Sequence, residues 1–230
     1  MVLKRFKKEI FRILNKFGRR FIDSYVLNNP LTGDRCIEYS FVVKNLVNLD
    51  RLKYKKILDI GCFASPLTPI IKELGYTVDG IDLLPTPYIY EGINFYQGNF
   101  LVTELNSFYD VIILCSTIEH VGLKRRYGSP NITNGDIKTL EKVTRLLNHG
   151  GILILTIPYG KEKTIYPLHR VYNINSKLLK HAFNVYEVIN TEFYKTNEEN
   201  IWIKCDETEA RNVNPSANNY ALGLFVFKKK

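Results

Sequence analysis

The sequence predicts an α/β protein built on a doubly wound sheet, and three observations carry that prediction. Residues 57–60 form a short apolar run through Asp59 that ends at Gly61; a tight turn and a helix follow, then a second apolar run that ends at Asp82. A strand, a glycine turn, a helix and a strand tipped with an acid about 20 residues on is how a βαβ unit holds a nucleoside. Residues 109–115 are almost wholly apolar, as a central parallel strand buried on both faces requires. From Val47 onward, strand-length apolar runs alternate with stretches of helical periodicity, the signature of strands wound with helices on both faces.

Taken in order, residues 2–22 carry Leu3, Phe6, Ile10, Phe17 and Phe21 at helical spacing, with lysines and arginines filling much of the rest. A basic amphipathic helix suits an anionic membrane surface, nucleic acid, or packing on its own domain. The turn-rich residues 28–33 then break the chain. The sequence therefore divides into a basic extension, 1–34, and a main domain, 35–230. A second helix is expected over 35–49. Ser65 caps the next helix and Pro66 suits its first position, where no amide partner is needed. That helix runs over 66–74 and closes at Gly75, the residue type that enters the left-handed conformation most readily. Strands follow at 76–81, 93–97 and 109–115, then a helix at 136–148 ending near Gly150 and Gly151, and a fifth strand at 152–157. Residues 159–173 read as a long connection. A short helix at 176–182, with Asn175 as its cap, precedes two last strands at 185–189 and 221–227.

Composition narrows the class. At 230 residues, 45% hydrophobic and 24% charged, the chain is long enough for one domain with a substantial core. The net charge of +9 is unevenly placed: residues 1–56 hold 14 Lys and Arg against 5 Asp and Glu, and the remainder balances. No apolar run reaches membrane-span length, and the basic start lacks a signal-peptide pattern, so a cytoplasmic protein, peripheral to the membrane at most, is expected. The four cysteines, Cys36, Cys62, Cys115 and Cys205, have no paired spacing and read as reduced, without a zinc site.

The turn after residue 60 is not a dinucleotide fingerprint. Counting from Gly61, the third and sixth positions are Phe63 and Pro66, where close approach to a pyrophosphate needs glycine. The stretch instead resembles motif I, Asp-x-Gly-x-Gly-x-Gly, of the class I S-adenosylmethionine (SAM)-dependent methyltransferases: Asp59 and Gly61 match its acid and first glycine, while Phe63 and Ser65 stand where that family has glycines. Residues 109–112 with 118–121 look like the fourth-strand motif of small-molecule O-methyltransferases, and residues 146–153 look like the family's helix-to-strand-five motif. Residues 118–123, 126–128 and 169–172 together resemble a subfamily often linked with surface-glycan synthesis.

The resemblance implies a Rossmann-like seven-stranded sheet with the last strand antiparallel, and SAM as cofactor. It implies a cofactor site of Asp59, Gly61, Cys62, Phe63, Asp82, Leu83, Asn99, Phe100, Cys115 and Ser116, with Asp82 on the ribose and Asn99 at the adenine. Methyl transfer is an in-line displacement that, for a hydroxyl acceptor, also needs a base. His169 and His120 are the candidates, with Glu119 to orient a histidine or bind the acceptor. Arg170, Arg126 and Tyr127 are expected on the substrate, the arginines holding a phosphate or carboxylate. Glu119, His120 and His169 partly match the magnesium cluster of small-RNA 2′-O-methyltransferases, but Ser116 replaces its first glutamate, so no metal is expected. The leading reading is O-methylation of a sugar-containing or lipid-linked small-molecule or glycan acceptor. Its alternatives are an RNA methyltransferase and a catalytically inactive methyltransferase-like binding module.

Overall fold

A computed structural model describes residues 33–230 apart from 64, 86–90, 125–127 and 129. The expected basic helix over 2–22, and with it the division of the chain near residue 34, lies outside the described residues. The chain begins with helix α1 (Asp34–Val47), then strand β1 (Lys56–Ile60), helix α2 (Leu67–Glu73), β2 (Thr77–Asp82), β3 (Ile93–Gln97) and β4 (Tyr109–Cys115). A one-turn 3-10 helix (Ile118–His120) leads toward α3 (Gly135–Leu146), and β5 (Leu147–Tyr159) is followed by a small hairpin, β6 (Lys163–Ile165) and β7 (His169–Val171). The closing part is α4 (Lys177–Val185), β8 (Tyr186–Thr196), β9 (Trp202–Cys205), α5 (Glu207–Arg211) and β10 (Ala221–Lys229).

The main sheet has the order β3-β2-β1-β4-β5-β10-β8-β9. The first five strands are parallel, and β10 enters antiparallel between β5 and β8. Its apolar residues alternate between two cores. Leu58, Ile112, Leu114, Leu153 and Phe225 face Leu140 and Val143 of α3 and Leu178, Leu179 and Ala182 of α4. Ile57, Val111, Ile113, Ile154 and Leu224 face Phe41, Val42 and Leu46 of α1 and Leu67 and Ile71 of α2. Successive strand residues point to opposite faces, so a strand covered on both sides is apolar throughout.

Four expectations are corrected. The sheet has eight strands, because β9 pairs antiparallel along β8; its alternation is too short to stand out in sequence. The 159–173 connection contains the β6–β7 hairpin, in which Lys163, Thr164 and Ile165 pair with Val171, Arg170 and His169. The cap position of α4 is Ser176 rather than Asn175, and the Ser176 hydroxyl donates to the Asn173 carbonyl. The fourth correction concerns α2: Pro66, not Ser65, holds its cap position and the helix starts at Leu67, although the Ser65 hydroxyl accepts the Leu67 amide at 3.1 Å. Gly75 closes the helix at φ +90°, as expected. Among the described residues no helix is long and apolar enough to cross a membrane.

The carboxyl ends of two helices are stapled by the last two residues. Lys229 Nζ donates to the Thr144 and Leu147 carbonyls at the end of α3, and Lys230 Nζ to the Phe183 and Asn184 carbonyls near the end of α4. Cations at these ends meet carbonyls that have no partner within the helix. Lys229→Met is expected to lower stability by about 1 kcal/mol, read as an earlier urea midpoint at unchanged slope.

Candidate active site

β1 continues to β2 and β3 on one side, while β4 and β5 lie on the other, so connections leave the ends of β1 and β4 in opposite directions. The crevice between those ends is the ligand position of open α/β sheets. Gly61 occupies it at φ +82°, and a Cβ there would run into the side chain of Thr117 from the β4 end. The Thr117 hydroxyl bonds the carbonyls of Ile60 and Cys115 at 3.1 and 3.0 Å, clamping the two turns together. Gly61 is therefore required twice, by its dihedral and by its neighbour.

Asp82, at the end of β2, accepts the Phe63 amide on Oδ2 and the Leu84 amide on Oδ1, each at 2.9 Å. It thus fixes the turn that follows β1 and the loop around Leu83. Asp59 is buried within β1 and accepts the Thr68 hydroxyl at 2.6 Å; burial pushes its carboxyl up to about 6, against the Thr68 bond and with the Asp82 charge adding. Its contact thus anchors the first turn of α2. Burial raises the thiols of Cys62 and Cys115, which keeps both neutral. Cys62 Sγ packs against Gly80 of β2, where a side chain would meet it. Phe63 is 39% exposed at the crevice mouth. Asn99 Oδ1 accepts the Leu101 amide at 3.0 Å, closing a turn whose Phe100 and Thr103 carbonyls both receive Lys142 Nζ of α3 at 2.6 Å.

On the other side, the 3-10 turn and the β6–β7 hairpin bring Glu119, His120, His169 and Arg170 together. His120 Nδ1 lies 2.7 Å from the Leu168 carbonyl, which can only accept, so Nδ1 carries a proton and, in the neutral ring, Nε2 is the basic atom. His120 Nε2 is 3.4 Å from Glu119 Oε1. The His169 ring meets His120 edge-on at 6.4 Å and Tyr220 at 5.2 Å, and the Tyr220 hydroxyl donates to Asp34 at 2.8 Å. Glu119 is 1% exposed, and its Oε2 is buried with no hydrogen-bond partner among the described residues. Burial pushes its carboxyl up to about 8, opposed by its own backbone amide and reinforced by the charge of Glu38. Arg170 Nη1 donates to the carbonyls of Glu119 and Val121, at 3.2 and 2.8 Å, and Nε lies 3.8 Å from Asp136. Its guanidinium braces the 3-10 turn, whereas the sequence predicts it on a substrate anion. Arg126 and Tyr127 lie outside the described residues.

Sequence reasoning missed Glu38. This α1 residue is fully buried and accepts the hydroxyls of Ser116, at 2.5 Å, and Thr156, at 2.6 Å, with Arg35 at 2.9 Å. A signal existed: Glu38 sits three and four residues before Phe41 and Val42, inside the apolar stripe of its helix.

Residues 98–229 match the family described as "Caenorhabditis protein of unknown function, DUF268". The chain belongs to that family. No curated protein matches it. Among solved structures, a Burkholderia thailandensis 1,6-didemethyltoxoflavin N1-methyltransferase with bound 1,6-didemethyltoxoflavin and S-adenosylhomocysteine aligns at a TM-score of 0.56 and 13% identity, covering 96% of this chain and 86% of that one. A SAM-dependent methyltransferase from Clostridium acetobutylicum aligns at 0.53 and 13%, covering 94% and 98%. The N-methyltransferase NodS from Bradyrhizobium japonicum, with S-adenosylhomocysteine, aligns at 0.51 and 15%, covering 82% and 87%. This member of the family therefore has the methyltransferase fold.

The raised Glu119 carboxyl has a consequence for stability. Folding favours its protonated form, so its contribution is complete below pH 4.5, erodes as pH rises, and is lost above about 8. Glu119→Gln removes that dependence. The melting temperature of the wild type is expected to fall relative to the variant between pH 5 and 8, as thermal scans across that range would show.

Proposed function

We propose that this protein transfers a methyl group from SAM to a hydroxyl of a sugar-containing or lipid-linked acceptor. The observation that carries the cofactor reading is Asp82, held by two backbone amides at the switch point beside the left-handed Gly61. Each Asp82 oxygen accepts one amide and retains a second lone-pair direction for a ribose hydroxyl. Among the described residues the cradle is then Gly61, Phe63, Leu83, Asn99, Phe100 and Ser116, with Asp59 and the two buried cysteines supporting it from behind. SAM supplies an electrophilic methyl on a sulfonium, and the protein's task is to align the acceptor and receive its proton.

We assign the proton to the His120–Glu119 pair. Its donation to Leu168 makes Nε2 the basic atom of the neutral His120 ring, and Glu119 lies beside that atom. A buried carboxyl that ionises at about 8 makes the pair a better base as pH rises toward that value. His169, buried between His120 and Tyr220, holds the His120 ring in place. Both described guanidiniums near the pair, Arg35 and Arg170, already have partners within the protein. That favours a neutral hydroxyl over a phosphate at the reacting end.

Isothermal titration with S-adenosylhomocysteine tests the cofactor half. Asp82→Ala is expected to weaken binding at least about tenfold, or roughly 1.4 kcal/mol, while the protein stays folded. Equal affinity in the variant refutes the assignment.

The placement of the +9 charge within residues 1–56 supports a peripheral contact of residues 2–22 with an anionic bilayer. The full chain is expected to sediment with phosphatidylserine vesicles at low salt and to be released as salt shortens the screening length below about 8 Å. Sedimentation that ignores salt speaks against it.

A further inference from the structure

The turn that follows β4, one of the two that frame the crevice, is held by a residue of α1. Ser116, the first residue after β4, has φ +44°, a left-handed backbone that a serine adopts at a cost. Two groups of bonds hold it there. Its amide donates to the Thr156 hydroxyl at 2.9 Å and lies 3.2 Å from the Thr156 carbonyl of β5, and its hydroxyl donates to Glu38 at 2.5 Å. The Thr156 hydroxyl donates to the same Glu38 oxygen. One buried carboxylate oxygen of α1 thus gathers the ends of β4 and β5.

The arrangement continues toward the crevice. Because Ser116 is left-handed, Thr117 turns back over Gly61, where its hydroxyl meets the Ile60 and Cys115 carbonyls. The Thr117 carbonyl then accepts the His120 amide at 3.0 Å, which starts the 3-10 turn bearing Glu119 and His120. Burying a carboxylate in this way is costly unless its lone pairs are filled, and Glu38 has three donors. A helix that only had to cover the sheet would do so with an apolar residue at this position, as it does at Phe41, Val42 and Leu46.

We infer that Glu38 is a positioning residue: acting through Ser116, it holds the β4 turn against the Gly61 turn and so sets the shape of the cofactor pocket. The inference rests on reading the switch point as a SAM pocket, and its test separates the two. In the full chain, S-adenosylhomocysteine affinity is measured by isothermal titration for the wild type, for Glu38→Leu, Glu38→Gln and Ser116→Ala, and for the double variant that combines Glu38→Leu with Ser116→Ala. The leucine fills the space but accepts no hydrogen bond; the glutamine keeps an oxygen for both hydroxyls.

Glu38→Leu is expected to lose at least about tenfold in affinity and Ser116→Ala several-fold, with the double variant no worse than Glu38→Leu and Glu38→Gln within about threefold of wild type. Wild-type affinity in Glu38→Leu and Ser116→Ala, or a loss in Glu38→Gln as large as in Glu38→Leu, overturns the inference. If Glu38→Leu does not fold, Ser116→Ala and Glu38→Gln decide. A wild type that binds no S-adenosylhomocysteine sinks the methyl-transfer reading instead. Glu38 is then judged by amide hydrogen exchange at His120 and Val121: exchange speeded in Ser116→Ala and unchanged in Glu38→Gln upholds its hold on the turn, and equal rates in all three proteins remove it.

Discussion

A parallel sheet whose chain winds outward in both directions from β1 and β4 leaves one gap that no crossover connection covers. The residues on which the proposed function rests are arranged about that gap. The backbone there must turn sharply, and the turns of β1 and β4 must approach each other closely. Gly61 makes the approach sterically possible, Thr117 makes it directional, and Asp82 holds the outgoing loop with two backbone amides. Helices α1 and α2 and their apolar stripes supply the stability that keeps such a turn from relaxing.

Buried carboxylates mark how the region is divided. Asp59 and Glu38 each have hydroxyl donors, and Asp79 of β2 receives the Tyr109 hydroxyl and the Asn94 amide at 2.8 and 2.9 Å. These acids fasten strands and helices to one another, which offsets their desolvation. Glu119 differs: one of its oxygens is buried with no partner among the described residues. The proposed function gives that unpartnered oxygen a use in the reaction, since the fold gives it none. Its neighbours are fixed with care. Arg170 holds the backbone on both sides of His120, and Leu168 sets the imidazole tautomer.

Much of this was legible in the chain. The central strands were visible because two-sided burial makes them apolar at every position, and helices α1, α2 and α3 because their stripes repeat at 3.6 residues. Gly61, Gly75 and Asp82 stood out because turn geometry and strand-end chemistry are local properties. The β6–β7 hairpin and β9 were not visible. Each is three or four residues long, and such short strands are selected by the neighbour they pair with rather than by their own composition.

The sequence by itself determined the fold class and the βαβ unit at residues 56–82, since each follows from periodicity or from a turn a few residues long, while the residues expected near the crevice came from the family resemblance. Only the tertiary structure decided what those residues do. Asp59 faces Thr68, Arg170 faces two carbonyls, and Glu38, 78 positions from Ser116, completes the β4 turn. A side chain's role depends on which groups compete for its hydrogen bonds, and for buried polar groups those partners come from distant segments that only the folded chain brings within 3 Å.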